Sequence, residues 1–106
     1  KFNNFLWDYY NSDKPITEGI PTVKYCSTEL NMSAYYLSDL LKKETGKNAL
    51  HHIQDYIIDK AKTRLLNSEE RISQIAYGLG FDYPQHFSKL FKVKTGMSPK
   101  KYRNSN

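Results

Sequence analysis

Five polar residues stand close together near the C-terminal end of the chain: Gln85, His86, Ser88, Lys89 and Lys92. Gln85, Ser88, Lys89 and Lys92 recur at i, i+3, i+4 and i+7, one face of a helix. Such groups can read base edges in a DNA groove, where Gln pairs with adenine, Lys donates to guanine and Ser serves either. They also make an ordinary solvated surface, and the lysines alone leave the two readings balanced. A related set, Tyr35, Tyr36, Ser38, Asp39 and Lys42, lies fifty residues earlier. Asp39 can accept from cytosine N4, but its charge repels phosphate, and a surface pair with Lys42 or Lys43 explains it equally well. Tyr35 and Tyr36 can touch a thymine methyl or a phosphate, with one of the two expected in the core.

Other chemistry finds no support. His51 and His52 are adjacent and so point to different faces of a helix, His86 is distant, and Cys26 belongs to an apolar stripe. No Cys/His spacing resembles a zinc site. No Ser/His/Asp set has a plausible arrangement, and Gly78-Leu79-Gly80 follows a helix pattern rather than a strand, so it is no phosphate cradle. The expectation is no catalytic residue, no metal, no cofactor and no enzyme activity.

The elements that must position the polar sets are helices. Ile72, Ile75, Ala76 and Leu79 form one apolar stripe; Gly78 and Gly80 are expected to end it in the left-handed conformation that glycine adopts freely. Pro84 opens a second helix with the stripe Phe87, Leu90 and Phe91, closed by Gly96, and Ser98-Pro99 starts another. Two short helices joined by a tight turn bury one face each and leave the second helix a free face. The earlier stretch repeats this plan. Val23, Cys26, Ser27, Leu30, Asn31 and Met32 match residues 72–81 at an offset of about 49. Leu37 to Gly46 match Phe87 to Gly96 at about 50, so the second copy has one extra residue in its turn.

Between the copies, Ile53, Ile57, Ala61 and Leu65 recur every fourth residue, widened by Leu50, Ile58 and Leu66, with no Gly or Pro. This predicts one continuous helix of roughly 27 Å. Residues 2–12 carry Phe2, Phe5, Leu6 and Tyr9 on one face, flanked by Trp7 and Tyr10. Residues 13–21 hold two Pro and a Gly and read as a loop pinned by Ile16 and Ile20. The fold class is all-α: two helix-turn-helix subdomains joined by a continuous linker helix. Seven helices are expected, near 2–12, 22–30, 34–45, 49–66, 72–79, 84–95 and 99–104. The chain divides into residues 1–21, a helix and loop packing on the first unit; 22–48, the first helix-turn-helix; 49–68, the linker; and 69–106, the second helix-turn-helix and C-terminal helix.

Charge favours one partner class. The chain of 106 residues has 16 Lys+Arg and 11 Asp+Glu, a net +5. Residues 84–103 hold six bases (Lys89, Lys92, Lys94, Lys100, Lys101 and Arg103) and no acid, so the remainder carries ten bases against eleven acids. A basic stripe beside a helix-turn-helix is the electrostatic footprint of a phosphate backbone. Expected phosphate partners are the backbone N–H groups at the helix starts Thr22, Ser33 and Ser98, with Tyr36, Lys42, Lys92, Lys100 and Lys101. No apolar run is long enough to span a bilayer. The single cysteine fits a reducing compartment, and a cytoplasmic location is expected. The chain opens on Lys1, which predicts a piece of a longer protein. A second function class, a helical protein–protein interaction module docking through its aromatic faces, fits the composition and would show indifference to DNA.

IAYGLGF, PQHFSKLFK and TGMSPKKYR, with the linker and the degenerate first copy LNMSAYYLSDLLKKETG, resemble the DNA-binding domain of AraC/XylS-type bacterial transcription regulators. The resemblance covers about residues 22–103. It implies sequence-specific binding of double-stranded DNA by two recognition helices in adjacent major-groove segments. Base-reading positions then fall on Tyr35, Ser38 and Asp39 in the first unit and on Gln85, His86, Ser88 and Lys89 in the second. It also implies a separate effector-sensing or dimerisation region upstream and RNA polymerase as a partner. The sequence departs from the family pattern at Asp39 and Ile57, where Arg is common; the first puts a base contact in doubt and the second a polar tie in the linker.

Overall fold

Eight helices follow one another in the computed structural model, which describes residues 1–105, and no strand occurs among them. They are α1 (Phe2–Tyr10), α2 (Lys14–Glu18), α3 (Val23–Glu29), α4 (Ala34–Thr45), α5 (Ala49–Asn67), α6 (Ile72–Gly78), α7 (Pro84–Thr95) and α8 (Pro99–Asn104). The pairs α3–α4 and α6–α7 are two helix-turn-helix units, and α5 is the unbroken helix that joins them. Asn106, the last residue of the expected second unit, lies outside the described residues.

The repeat extends to individual hydrogen bonds. In each turn an N–H reaches back across the corner: Met32 donates to the Ser27 carbonyl at 2.8 Å, and Phe81 to the Ala76 carbonyl at 3.0 Å. At the end of α4 and α7, Gly46 and Gly96 take left-handed φ values of 85° and 82°, and their N–H groups donate to the Lys42 and Lys92 carbonyls at 2.8 Å. Only glycine takes that conformation without a Cβ penalty. Thr45 and Thr95 then turn their hydroxyls back onto the Leu41 and Phe91 carbonyls. Asn48 and Ser98 cap the helices that follow by accepting from His51 and Lys101 N–H at 3.0 and 3.1 Å.

One apolar core runs through both units. Ile53, Ile57, Ala61 and Leu65 of α5 are at most 1% exposed and form its spine. Cys26, Leu37 and Leu41 pack from one side; Ile75, Ala76, Leu79, Phe81, Phe87 and Phe91 pack from the other. Burial pushes the Cys26 thiol up to about 11. Ile58 is buried with the spine, but Leu50 and Leu66 are exposed and do not widen it: each follows a buried residue, Ala49 or Leu65, and the helical turn of about 100° carries its side chain off the inward stripe. Tyr9 and Tyr10 of α1 donate their hydroxyls to the Gly19 and Leu79 carbonyls at 2.7 and 2.9 Å, so α1 is tied both to the α2–α3 loop and to the second turn.

Three local expectations are corrected. Residues 13–21 hold a short helix, α2, because Pro15 occupies its first turn, where the missing N–H costs nothing. Pro15 is buried in place of Ile16, which is 73% exposed; Ile20 does pack on the core. Gly78 is helical rather than left-handed. A Cβ there would sit 2.9 Å from the Arg64 guanidinium, so Gly78 makes room for that side chain. Gly80 does take a positive φ of 102°, and a Cβ on it would lie 2.8 Å from the Gly19 and Ile20 backbone. The second turn is therefore wedged against the loop that follows α2.

Ion pairs tie the linker to its neighbours. Asp55 of α5 accepts from Lys47, just after α4, at 2.9 Å and from Lys94 of α7 at 3.1 Å, so one carboxylate links both units. Partial burial pushes this carboxyl up, but the hydrogen bonds and charges of Lys47 and Lys94 outweigh that and hold it below its ordinary value. Glu70 is held below its ordinary value by bidentate hydrogen bonds from Arg64 at 2.8 and 3.0 Å. A carboxyl whose folded pKa is depressed contributes stability that is complete above its unfolded pKa and is lost as pH falls through the folded one. Melting temperature is therefore expected to hold steady from neutral pH down to about 5 and to fall below about 4. Asp55→Asn should flatten part of that acid limb; thermal melts of both proteins against pH check it, and superimposable acid limbs would contradict the role given to Asp55.

Candidate nucleic-acid interface

Each recognition helix keeps its apolar side in the core and presents the other side outward. On α7, Phe87 and Phe91 are 0% exposed. Gln85, His86, Lys89, Lys92 and Val93 are exposed, and Ser88 is half-buried at the edge of the stripe. The structure thus brings Gln85, His86, Ser88 and Lys89 together over the first two turns of α7, with Lys92 one turn further on. On α4, Leu37 and Leu41 face inward, while Tyr35, Tyr36 and Lys42 are exposed and Ser38 and Asp39 half-buried. Neither tyrosine joins the core: Tyr35 is 81% and Tyr36 55% exposed. The core positions are taken by Leu37 and Leu41, and helical geometry turns Tyr35 and Tyr36 away from them.

Asp39 pairs with Lys43 one turn on, at 3.1 Å. Both side chains are substantially exposed, and such a pair contributes little to stability; it does cancel the charge of one lysine on the outer face of α4. The outer face of α7 has no acid, and Val93 stands where α4 has Lys43.

The basic segment 84–103 is smaller in effect than its six charges suggest. Lys94 is committed to Asp55. Arg103 points inward, donating to the carbonyls of Leu65, Ser68 and Glu70 at 2.9, 3.3 and 2.7 Å. Leu65 lies in the last turn of α5, where carbonyls lack helical partners, so Arg103 closes the linker helix. Lys89, Lys92, Lys100 and Lys101 are exposed and form no ion pair among the described residues. The hydroxyls of Thr22, Ser33 and Ser98 are used as helix caps, accepting from Tyr25, Tyr36 and Lys101 N–H at 3.0 to 3.1 Å. What these helix starts still offer an anion is the remaining backbone N–H groups.

Tyr83 was not among the sequence-derived positions. It sits immediately before α7, 56% exposed, with its ring 5.4 Å from that of His86. The single-residue insertion in the second turn is the signal that marks it. Among the described residues no group of three or more His, Cys, Asp or Glu is placed to hold a metal ion, and no helix is long and apolar enough to cross a membrane.

A fold of two helix-turn-helix pairs on one linker, each with a free outward helix face, defines the class of bipartite helix-turn-helix DNA-binding domains. A family model described as a helix-turn-helix domain matches residues 26–105, and the chain belongs to this family, the AraC-type helix-turn-helix domains of transcription regulators. The HTH-type transcriptional regulator YobQ of Bacillus subtilis is 34% identical over 88 residues, which cover 83% of this chain and 36% of YobQ. The chain thus spans about a third of that relative's length. Among solved structures, the C-terminal domain of the two-component response regulator yesN from Fusobacterium nucleatum superposes with a TM-score of 0.83 at 28% identity, covering 97% of this chain and 94% of that one. The DNA-binding domain of AdpA, solved in complex with a target DNA, shares the fold with a TM-score of 0.80 at 19% identity, covering 98% and 90%.

Proposed function

We propose that the chain binds double-stranded DNA sequence-specifically, as the output domain of a transcription regulator, with α4 and α7 entering adjacent major-groove segments on one side of the duplex. The observation that carries this is the pair of outward helix faces held on one unbroken linker. Tyr35, Ser38 and Asp39 read bases in one half-site; Gln85, His86, Ser88 and Lys89 read them in the other. Asp39 holds Lys43 through Oδ2, which leaves Oδ1 to accept from a cytosine. Phosphates are held by Tyr36 and Lys42, by Lys92, Lys100 and Lys101, and by the helix starts after Thr22, Ser33 and Ser98. The division into an N-terminal packing segment, two units and a linker follows these roles. AdpA, with the same fold and a bound target DNA, supports the reading. In the whole protein, an upstream effector or dimerisation region would control this domain and RNA polymerase would be its partner in the cytoplasm.

The test is selection of sites from random duplexes followed by salt titration on the selected site. Two half-motifs are expected. With Lys42, Lys92, Lys100 and Lys101, which are exposed and form no ion pair among the described residues, each neutralising one phosphate, log affinity should fall against log salt with a slope of at least about −3.6. Lys92→Ala should weaken binding on all sequences and make the slope shallower by about 1. Recovery of no motif, together with salt-independent binding, would overturn the reading.

A further inference from the structure

We propose that Tyr83 is a specificity-determining residue of the second unit, its ring packing on a thymine C5-methyl in the half-site that α7 reads; this rests on the DNA-binding reading above. The first unit supplies the comparison. There Ser33 precedes the recognition helix, and its hydroxyl caps α4 by accepting from Tyr36 N–H at 3.0 Å. The second turn is one residue longer, and Tyr83 occupies the cap position with extended backbone (φ −136°, ψ 135°) and no side-chain cap bond. A tyrosine here forgoes the stabilisation that a Ser, Thr, Asp or Asn cap supplies. Local stability therefore gives no reason for this residue type, and departures of that kind concentrate at functional positions.

Its placement gives the reason. The ring is exposed and stands edge-on to His86, at an interplanar angle of 79°. It is thus held on the side of α7 that presents His86, next to Gln85. Pro84 follows in the first turn and fixes the chain direction, and the Gly80 wedge against Gly19 and Ile20 fixes the turn before it. The phenol hydroxyl has no hydrogen-bond partner among the described residues. A rigid, solvent-facing aromatic ring at the start of a recognition helix suits the one apolar group in the major groove, the thymine methyl, and with two side-chain torsions it loses little entropy on docking.

Deoxyuridine in place of thymidine removes that methyl and nothing else. On the site selected for the wild-type chain, each thymine of the second half-site is replaced in turn, and binding is measured for the wild type, Tyr83→Phe and Tyr83→Ser. One replacement should weaken wild-type binding about fourfold, the effect of one buried methyl-sized group. Tyr83→Phe should keep that sensitivity. Tyr83→Ser, which restores a cap and should melt no lower than wild type, should lose it. A uniform loss for Tyr83→Phe on every duplex would instead assign the hydroxyl to a phosphate and overturn the proposal. So would a Tyr83→Ser variant that stays methyl-sensitive, or a half-site with no sensitive thymine. These failures leave the selected site intact, whereas failure of the DNA-binding reading would yield no selected site at all.

Discussion

Phe87→Ala is expected to lower the melting temperature more than any substitution on the outer face of α7. Phe87 is 0% exposed, with its ring 5.4 Å from Phe81 and 5.7 Å from Phe91. Phe91 in turn stacks edge-on against Tyr102 of α8 at 5.4 Å. These rings are the contact by which the turn, the recognition helix and α8 hold one another. Truncation removes the buried ring and leaves a cavity that its neighbours fill only in part, at a cost of about 3–5 kcal/mol. For a domain of this size that corresponds to a drop on the order of 15–30 °C. Lys89→Ala, two residues on and exposed, should melt within about 0.5 kcal/mol of wild type, lose DNA affinity and relax the preference at one base position. Thermal melts and binding isotherms on both variants separate the two routes. Equal melting shifts would mean that the inward and outward faces of α7 are wrongly assigned.

The second large effect concerns spacing. The 19 residues of α5 make a rod of about 28 Å. Its inward residues are fully buried, and Asp55 ties a lysine of each unit to its side. Such a linker cannot flex as a Gly/Ser tether does. Two recognition helices held this way should meet two consecutive major-groove segments about one turn apart, on the order of 34 Å. Inserting about five base pairs between the half-motifs turns one groove to the far side of the duplex. The gain from engaging both sites at once, about 10²- to 10⁴-fold, should then vanish, leaving the affinity of one unit. That residual unit should be the second, which with its C-terminal helix holds four uncommitted lysines, Lys89, Lys92, Lys100 and Lys101, so protection should shrink to its half-motif. Footprinting and titration on native and spacer-inserted sites measure this; undiminished affinity after the insertion would show that one unit suffices or that the linker bends.

Much of this architecture is legible in the chain because its signals are local. Gly46 and Gly96 stop α4 and α7 within their own last turns, and Ser33, Pro84 and Ser98-Pro99 start helices within their own first turns. The ends of α4, α7 and α8 therefore fall at the residues expected. The outward stripe of α7 follows from the same periodicity that buries Phe87 and Phe91. The repeat is visible because both copies use the same residue types for the same corner hydrogen bonds.

The tertiary structure decided whatever depends on a distant partner. Gly78 resembles a helix terminator until Arg64, fourteen positions earlier, is found against it. Arg103 counts as a phosphate-binding charge until the carbonyls it caps, some 33 to 38 residues away, are in place. Lys94 belongs to the basic stripe in sequence and to Asp55 in space. Tyr35 and Tyr36 are ambiguous as residue types, and only the packing of α4 shows that both point outward. Composition and spacing set how many charges the chain carries and which helices bear them. Which of those charges remain free for DNA depends on long-range geometry, because an ion pair or a carbonyl cap requires a partner that only folding brings within reach.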